Sequence, residues 1–294
     1  MEITLSIIVL NYKTRELTIN CLKSLVNIYK QEFLDNKLEV IVVDNASSDD
    51  SAKSIEHYIS SIKYGEIIKL IESKENLGFG GGCNLGAKAA KGKYLLFLNS
   101  DTEILDKGFV GMTKFLDENQ KVGILGGKLE NSDGSVQPSA GKFYNLFNLL
   151  IMLLGLERFG FLRSSPSKIQ RVDWVSGACL MVRSDVFGKL SGFDEKIFMY
   201  VEDMEICFRA KKLGFLTYFY SSISLMHKSL GSSNKEFAII NIYRGILHFY
   251  SKHKTNLEYL IAKTMLVTKA VVLILIGLLT FNSKLRTTYQ KAIS

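Results

Sequence analysis

Two spacings of apolar residues organise the first hundred positions. Short runs rich in β-branched and large apolar residues fall at Leu5–Leu10, Val40–Val43, Ile67–Ile71 and Tyr94–Leu98, and each reads as a buried strand. Between the first two runs, Leu17, Cys21, Leu22, Leu25 and Ile28 recur at helical spacing and predict a helix over about 15–29. Further helices are expected over 51–62, 83–91 and 106–118. Strand and helix in alternation predict an α/β fold, a mostly parallel sheet covered by helices.

The rhythm breaks between about 131 and 168. A polar stretch, Asn131–Gly134, is followed by an apolar one from Phe143 to Leu162. The run Leu146–Gly155 is too short to span a bilayer. It reads as an insertion, either a flap near an acceptor or a membrane, or a segment packed on the core. Beyond it a helix is expected to start near Glu202, with a strand at Leu216–Tyr220 and a helix over 236–253.

Charge changes the picture only at the C-terminal end. The net charge is +8, but residues 1–230 hold 28 Lys and Arg against 27 Asp and Glu, whereas residues 231–294 hold 9 against 2. The same tail carries the most apolar run of the chain, Val271–Phe281. Lipid therefore suits the tail better than nucleic acid, which would need a basic groove studded with aromatic residues. Residues 257–281 approach spanning length, yet contain Lys263 and Lys269 and are followed by Lys284, Arg286 and Lys291. We expect a helix in the membrane interface with its lysines snorkelling to headgroups; a true span and an oligomer contact, which would make a homo-oligomer, are the other two readings. A catalytic body over 1–230 and a membrane-associated appendage over 231–294 follow. Hydrophobic residues make up 47% of the chain and prolines number two, which argues for one continuous body. Cys21, Cys83, Cys179 and Cys207 form no CxxC pair and no leader-like segment precedes the first strand, so a reducing, cytoplasmic setting is expected.

Polar residues stand at the carboxyl ends of the strands, where open α/β sheets bind ligands: Asn11, then Asp44 and Asn45, then Asn99 and Asp101. The segment from Asn76 to Gly86 invites a dinucleotide reading, but the third glycine after Gly78 and Gly80 would fall on Cys83, and no GxxxxGK run exists. What remains is a backbone that approaches a ligand or another segment closely. Asp101 offers oxygen to a divalent cation, or caps the turn before helix 106–118. Glu202 and Asp203 lie among Phe198, Tyr200, Val201 and Met204, where burial would raise a carboxylate toward use as a base. Glu205 can pair with Arg209 at i, i+4. His227, placed beyond the Leu216–Tyr220 strand, is either a metal ligand or a hydrogen-bonded loop residue.

Together these segments resemble glycosyltransferase family 2, the inverting enzymes of GT-A fold, and within it the rhamnosyltransferase-like branch. The resemblance covers about residues 4–230 and rests on Ser6–Tyr12, Val42–Ser51, Asn76–Gly80, Leu98–Asp101, Trp174–Arg183, Gly192–Glu195, Glu202–Asp203 and His227. It implies a glycosyltransferase that moves a sugar from a nucleoside-diphosphate donor to a glycan or lipid-linked acceptor in cell-surface polysaccharide synthesis, at the cytoplasmic face of the membrane. It assigns Asp44 to the donor base, and Asn11, Asn45, Asn76, Gly78, Gly80, Asn84, Asn99 and Ser100 to the nucleotide and donor. Trp174 and the Ser176-Gly177 turn border donor sugar and acceptor. Asp101 and His227 hold Mg2+ or Mn2+, and Asp203 is the base with Glu202 beside it. Asn99 replaces the first acid of the family's DxD-like motif. The donor sugar implied is often dTDP-rhamnose, and an inactive nucleotide-sugar-binding scaffold is the competing reading.

Overall fold

The computed structural model describes residues 3–228 and 234–294, with the backbone but not the side chain of Arg158. Strands β1 (Leu5–Asn11), β2 (Leu38–Asp44), β3 (Ile68–Glu72) and β4 (Tyr94–Asn99) pair in parallel in the order β3-β2-β1-β4. Their connections carry helices α1 (Arg15–Ile28), α2 (Lys30–Leu34), α3 (Ser51–Ser61) and α4 (Gly78–Ala89). Next come β5 (Thr102–Ile104), α5 (Gly108–Glu118), β6 (Val122–Glu130), β7 (Val136–Gln137), β8 (Ala140–Gly141), α6 (Leu146–Leu153), β9 (Arg163–Ser164), β10 (Gln170–Val172) and β11 (Trp174–Val175). The chain continues through β12 (Cys179–Arg183), α7 (Ser184–Lys189), α8 (Glu202–Lys212), β13 (Leu216–His227), α9 (Lys235–His253), α10 (Asn256–Leu279) and α11 (Ser283–Ile293).

The main sheet runs β10-β13-β6-β12-β4-β1-β2-β3, with β5 on β13 and β7 on β6. Only β12 interrupts the parallel core, antiparallel to both β4 and β6. A small second sheet, β11-β8-β9, is antiparallel. Side chains alternate across the pleat, so one strand feeds two cores. Ile7 and Val9 join a core with α1 and α5, whereas Ile8, Phe97 and Phe187 join the other. The second core continues without a break into Tyr243, Ile246, Phe249, Leu266 and Tyr289 of the C-terminal helices. The boundary expected at 230/231 lies outside the described residues.

Four expectations need correction. The glycine-rich segment is not a turn: α4 begins at Gly78 rather than near 83. Its glycines serve close packing, since a Cβ at Gly82 would stand 2.4 Å from Leu10 and one at Gly86 2.6 Å from Ile8. Asp101 caps no helix; it sits in the turn into β5, and its carbonyl accepts from Lys228 N at 3.0 Å. Helix α5 starts at Gly108, not 106, because Asp106 turns its Oδ1 to the Gly108 amide at 2.7 Å. The strand from Leu216 does not stop at Tyr220: a register shift between Tyr220 and Ser224 lets it run on to His227, which is a strand residue and not a loop one.

Candidate active site

One side of the site is built by strand pairing. After its shift, β13 pairs antiparallel with β5 and sets His227 opposite Thr102. That register carries His227 Nε2 to 3.2 Å from Asp101 Oδ1 and 3.2 Å from Asn99 Nδ2. On the far side of the ring, Gln137 Oε1 of β7 lies 2.7 Å from Nδ1. The two amide contacts agree on one tautomer: Nδ1–H donates to Gln137, and Asn99 donates to the Nε2 lone pair.

The other side is built at the start of α8. Tyr200 and Val201 precede it with φ of 66° and 76°, a left-handed pair that is strained for a β-branched residue. Gly245 of α9 packs on this pair; a Cβ there would stand 3.1 Å from both the Tyr200 carbonyl and the Val201 side chain. The kink delivers Glu202 and Asp203 inward. Asp203 Oδ1 accepts from Met204 N at 2.7 Å and Oδ2 from Gly177 N at 3.2 Å. Glu202 is buried, and its Oε2 has no hydrogen-bond partner among the described residues. Burial first, and the Asp203 charge second, push the Glu202 carboxyl well above its usual range. Burial likewise raises Asp203, tempered by the Gly177 amide and the Arg163 charge. Two adjoining buried carboxyls that each resist ionisation hold a proton between them more readily than two charges.

Both sides line one cavity of about 450 Å³. Asn99, Ser100, Asp101, Trp174, Glu202, Asp203 and His227 all border it. So do Tyr12, Thr14, Tyr144, Met152, Glu157, Arg163 and Ile242, which the sequence reading passed over. Trp174 is pinned from behind, its Nε1 donating to Lys142 O at 3.0 Å while Arg163 lies over its ring. Asn11, Asp44, Asn45, Asn76, Gly78, Gly80 and Asn84 are not among the lining residues. Asn11 and Asp44 connect to the cavity through a relay: Asn11 Nδ2 donates to Asp44 Oδ1 at 2.6 Å, and Thr14 bridges Asn11 to Ser100. Asn45 clasps Asn76 and the Leu77 amide, and Asn84 grips both the Phe193 amide and carbonyl. The last two asparagines spend their capacity holding loops together.

Among the described residues no group of three or more His, Cys, Asp and Glu could hold a metal ion by itself. The Asp101–His227 pair nonetheless suits one. With the proton on Nδ1, two electron-rich atoms face each other at 3.2 Å, an arrangement that a cation between them stabilises. In an octahedron with bonds of about 2.1 Å, adjacent ligands lie about 3.0 Å apart. A cation held there would take two of its ligands from this pair.

Comparison with known proteins identifies the family and the fold. The family description "Glycosyl transferase family 2" matches residues 6–190. Over 247 residues the chain is 26% identical to the N-acetylglucosaminyl-diphospho-decaprenol L-rhamnosyltransferase of Mycobacterium tuberculosis, covering 77% of this chain and 75% of the relative. Among solved structures, GalNAc-T7 with UDP, GalNAc and Mn2+ superposes with a TM-score of 0.63 at 14% identity, over 85% of this chain and 50% of its own. The mannosyltransferase PcManGT of Pyrobaculum calidifontis, in complex with GDP-Man and Mn2+, gives 0.59 at 15% identity, over 100% of this chain and 86% of its own. At such identities the structural likeness speaks for the fold.

Proposed function

The chain belongs to glycosyl transferase family 2 and has the GT-A fold of those enzymes, and from that premise we propose an inverting sugar transfer with Asp203 as the base. The observation that carries this reading is the meeting of Asp203 with the Asp101–His227 pair in one cavity. Asp203 takes the proton of the acceptor hydroxyl as that oxygen attacks the anomeric carbon, and the sugar leaves its nucleoside diphosphate with inversion. The Gly177 and Met204 amides fix the carboxylate for this task. Its raised pKa makes it a better proton acceptor than an exposed aspartate. Asp101 and His227 hold Mg2+ or Mn2+, with Asn99 and Ser100 facing the donor phosphates. A bound ion would neutralise charge on the departing diphosphate. Asn11 and Asp44, joined to the cavity through Thr14 and Ser100, serve the nucleotide, while Asn45, Asn76 and Asn84 brace the loops around it and Trp174 walls the sugar.

The donor proposed is dTDP-rhamnose, and the acceptor a lipid-linked glycan of cell-surface polysaccharide synthesis; the mycobacterial relative, named for rhamnosyl transfer to an N-acetylglucosaminyl-diphospho-decaprenol, supports rhamnose as the sugar and a lipid-linked acceptor. We assign residues 1–230 to the catalytic body and 231–294 to an appendage at the cytoplasmic face of the membrane. Helix α10 supports that assignment, being long and apolar enough to cross a bilayer by length and composition.

A thermal-shift series of nucleotide sugars with and without Mn2+ tests the reading. We expect the metal-dependent part of the donor shift to vanish in Asp101→Ala and in His227→Ala. Full shifts in both variants would remove the metal site.

A further inference from the structure

On most protein helices the solvent face is polar, but α10 reverses the order. Its outward residues include Leu257, Leu260, Ile261, Val271, Val272, Leu275, Ile276 and Leu279, which share one face with the two threonines Thr264 and Thr268. At 1.5 Å per residue that face extends about 33 Å. Ala262, Leu266, Ala270 and Gly277 face inward instead. Beside α10 packs α6, the helix of the 131–168 flap. It shows the same inversion: Phe147, Leu150 and Leu154, at i, i+3 and i+7, are exposed, whereas Leu149 and Leu153 are buried.

The flap also belongs to the site. Tyr144, Met152, Glu157 and Arg163 line the cavity from the same segment that exposes Phe147 and Leu154. Lys269 of α10 stands close enough to Glu157 for their charges to interact. Two neighbouring helices thus expose apolar residues, and one of them belongs to the segment that lines the cavity.

We propose that α6 and α10 form a single docking face for an anionic lipid bilayer, which sets the cavity at the membrane surface. The inference rests on the proposed lipid-linked acceptor and adds the flap to the membrane contact. Charge selects the occupant. The only acids of the tail, Glu236 and Glu258, are engaged with Lys291 and in the capping box at Thr255. Lys263 of α10 and Lys284 and Arg286 of α11 have no acidic partner among the described residues, a surplus of cations that suits an anionic headgroup layer. A contact between two copies would instead join two tails of the same charge.

The four native cysteines are buried, so a fluorophore can be placed selectively. Full-length protein carrying Phe147→Cys, Val272→Cys or, as a remote control on α3, Lys53→Cys is labelled with nitrobenzoxadiazole. It is mixed with vesicles of phosphatidylglycerol and phosphatidylethanolamine. Blue-shifted emission at both Phe147→Cys and Val272→Cys, none at the control, and vesicle partitioning weakened at least about tenfold by Phe147→Ser with Leu150→Ser are the expected results. A shift at Val272→Cys alone would overturn the role of the flap. No shift at either site, with a dimer in sedimentation, would assign the face to a second copy and overturn the proposal. The donor-induced thermal shift with Mn2+ is read on the same variants; its retention separates failure of the docking face from failure of the transferase reading.

Discussion

The two sides of the cavity are held by different means. Asp101, Asn99 and His227 sit at strand ends, and their relative positions follow from backbone register between β5 and β13. Glu202 and Asp203 sit at a helix start, placed by a strained dipeptide and by what packs behind it. That backing is charged. Asp194 meets His248 and Lys252 of α9, and buried Glu205 meets Arg209, Lys252 and His253 at 2.7–2.9 Å. The cation side is thus wired through the main chain, while the base side depends on side-chain ion pairs that reach the C-terminal helices. Damage to the tail should disturb the base and spare the cation site.

The largest expected effect lies in the base itself. Asp203→Asn should lower kcat by about 10²–10⁴-fold while the donor-induced thermal shift persists; a variant that turns over normally would assign the proton transfer elsewhere. Next comes the network behind it. Glu205→Gln should lower unfolding stability by roughly 3–5 kcal/mol, because it strands buried partners, as read by urea titration. In the native protein burial works against ionisation of Glu205, yet His253, Arg209 and Lys252 prevail and hold its pKa at about 2. A depressed carboxyl stabilises the fold above its unfolded pKa, so the native protein should lose this contribution as the pH falls from about 4.5 toward about 2. The Gln variant should lose that part of the slope.

On the strand side the expected effect is smaller and of another kind. Gln137→Ala should weaken Mn2+ about 10–100-fold by releasing the imidazole tautomer, and excess Mn2+ should restore turnover. Smallest is Glu202→Gln. Burial and the Asp203 charge keep Glu202 protonated while Asp203 ionises, so a neutral glutamine should leave the acid limb of the pH–rate profile in place. A limb that moves to lower pH would show that Glu202 carries charge beside Asp203. A carboxyl raised by folding weakens the native state as pH climbs past its unfolded value, so this variant should also unfold less readily at neutral pH.

The difference between the two sides also explains what the sequence disclosed. Strands β1 to β4 were legible because unbroken apolar runs between polar ends admit little else. Asp101, Asp203 and His227 were legible as residues, and the Glu205–Arg209 pair as a spacing. Their convergence was not, since it depends on β13 surviving its shift and pairing with β5, which no local pattern encodes. Gln137, Arg163 and Glu157 escaped for a related reason: they come from short strands and turns of the flap whose meaning exists only once the sheet is assembled. Nor did the glycines of α4 announce a helix. Glycine is a poor helix former, and only the closeness of Leu10 and Ile8 shows why it was needed there.

The shift in β13 between Tyr220 and Ser224 leaves a mark on how this chain can change. Side chains of a strand point alternately to opposite faces, so one residue removed from Ser221–Ile223 would turn His227 away from Asp101. Substitutions at Ser221 and Ser222, outside the core, leave that count intact, but changes of length do not. An irregular patch of strand outside the cavity lining therefore acts as a ruler for the cation site.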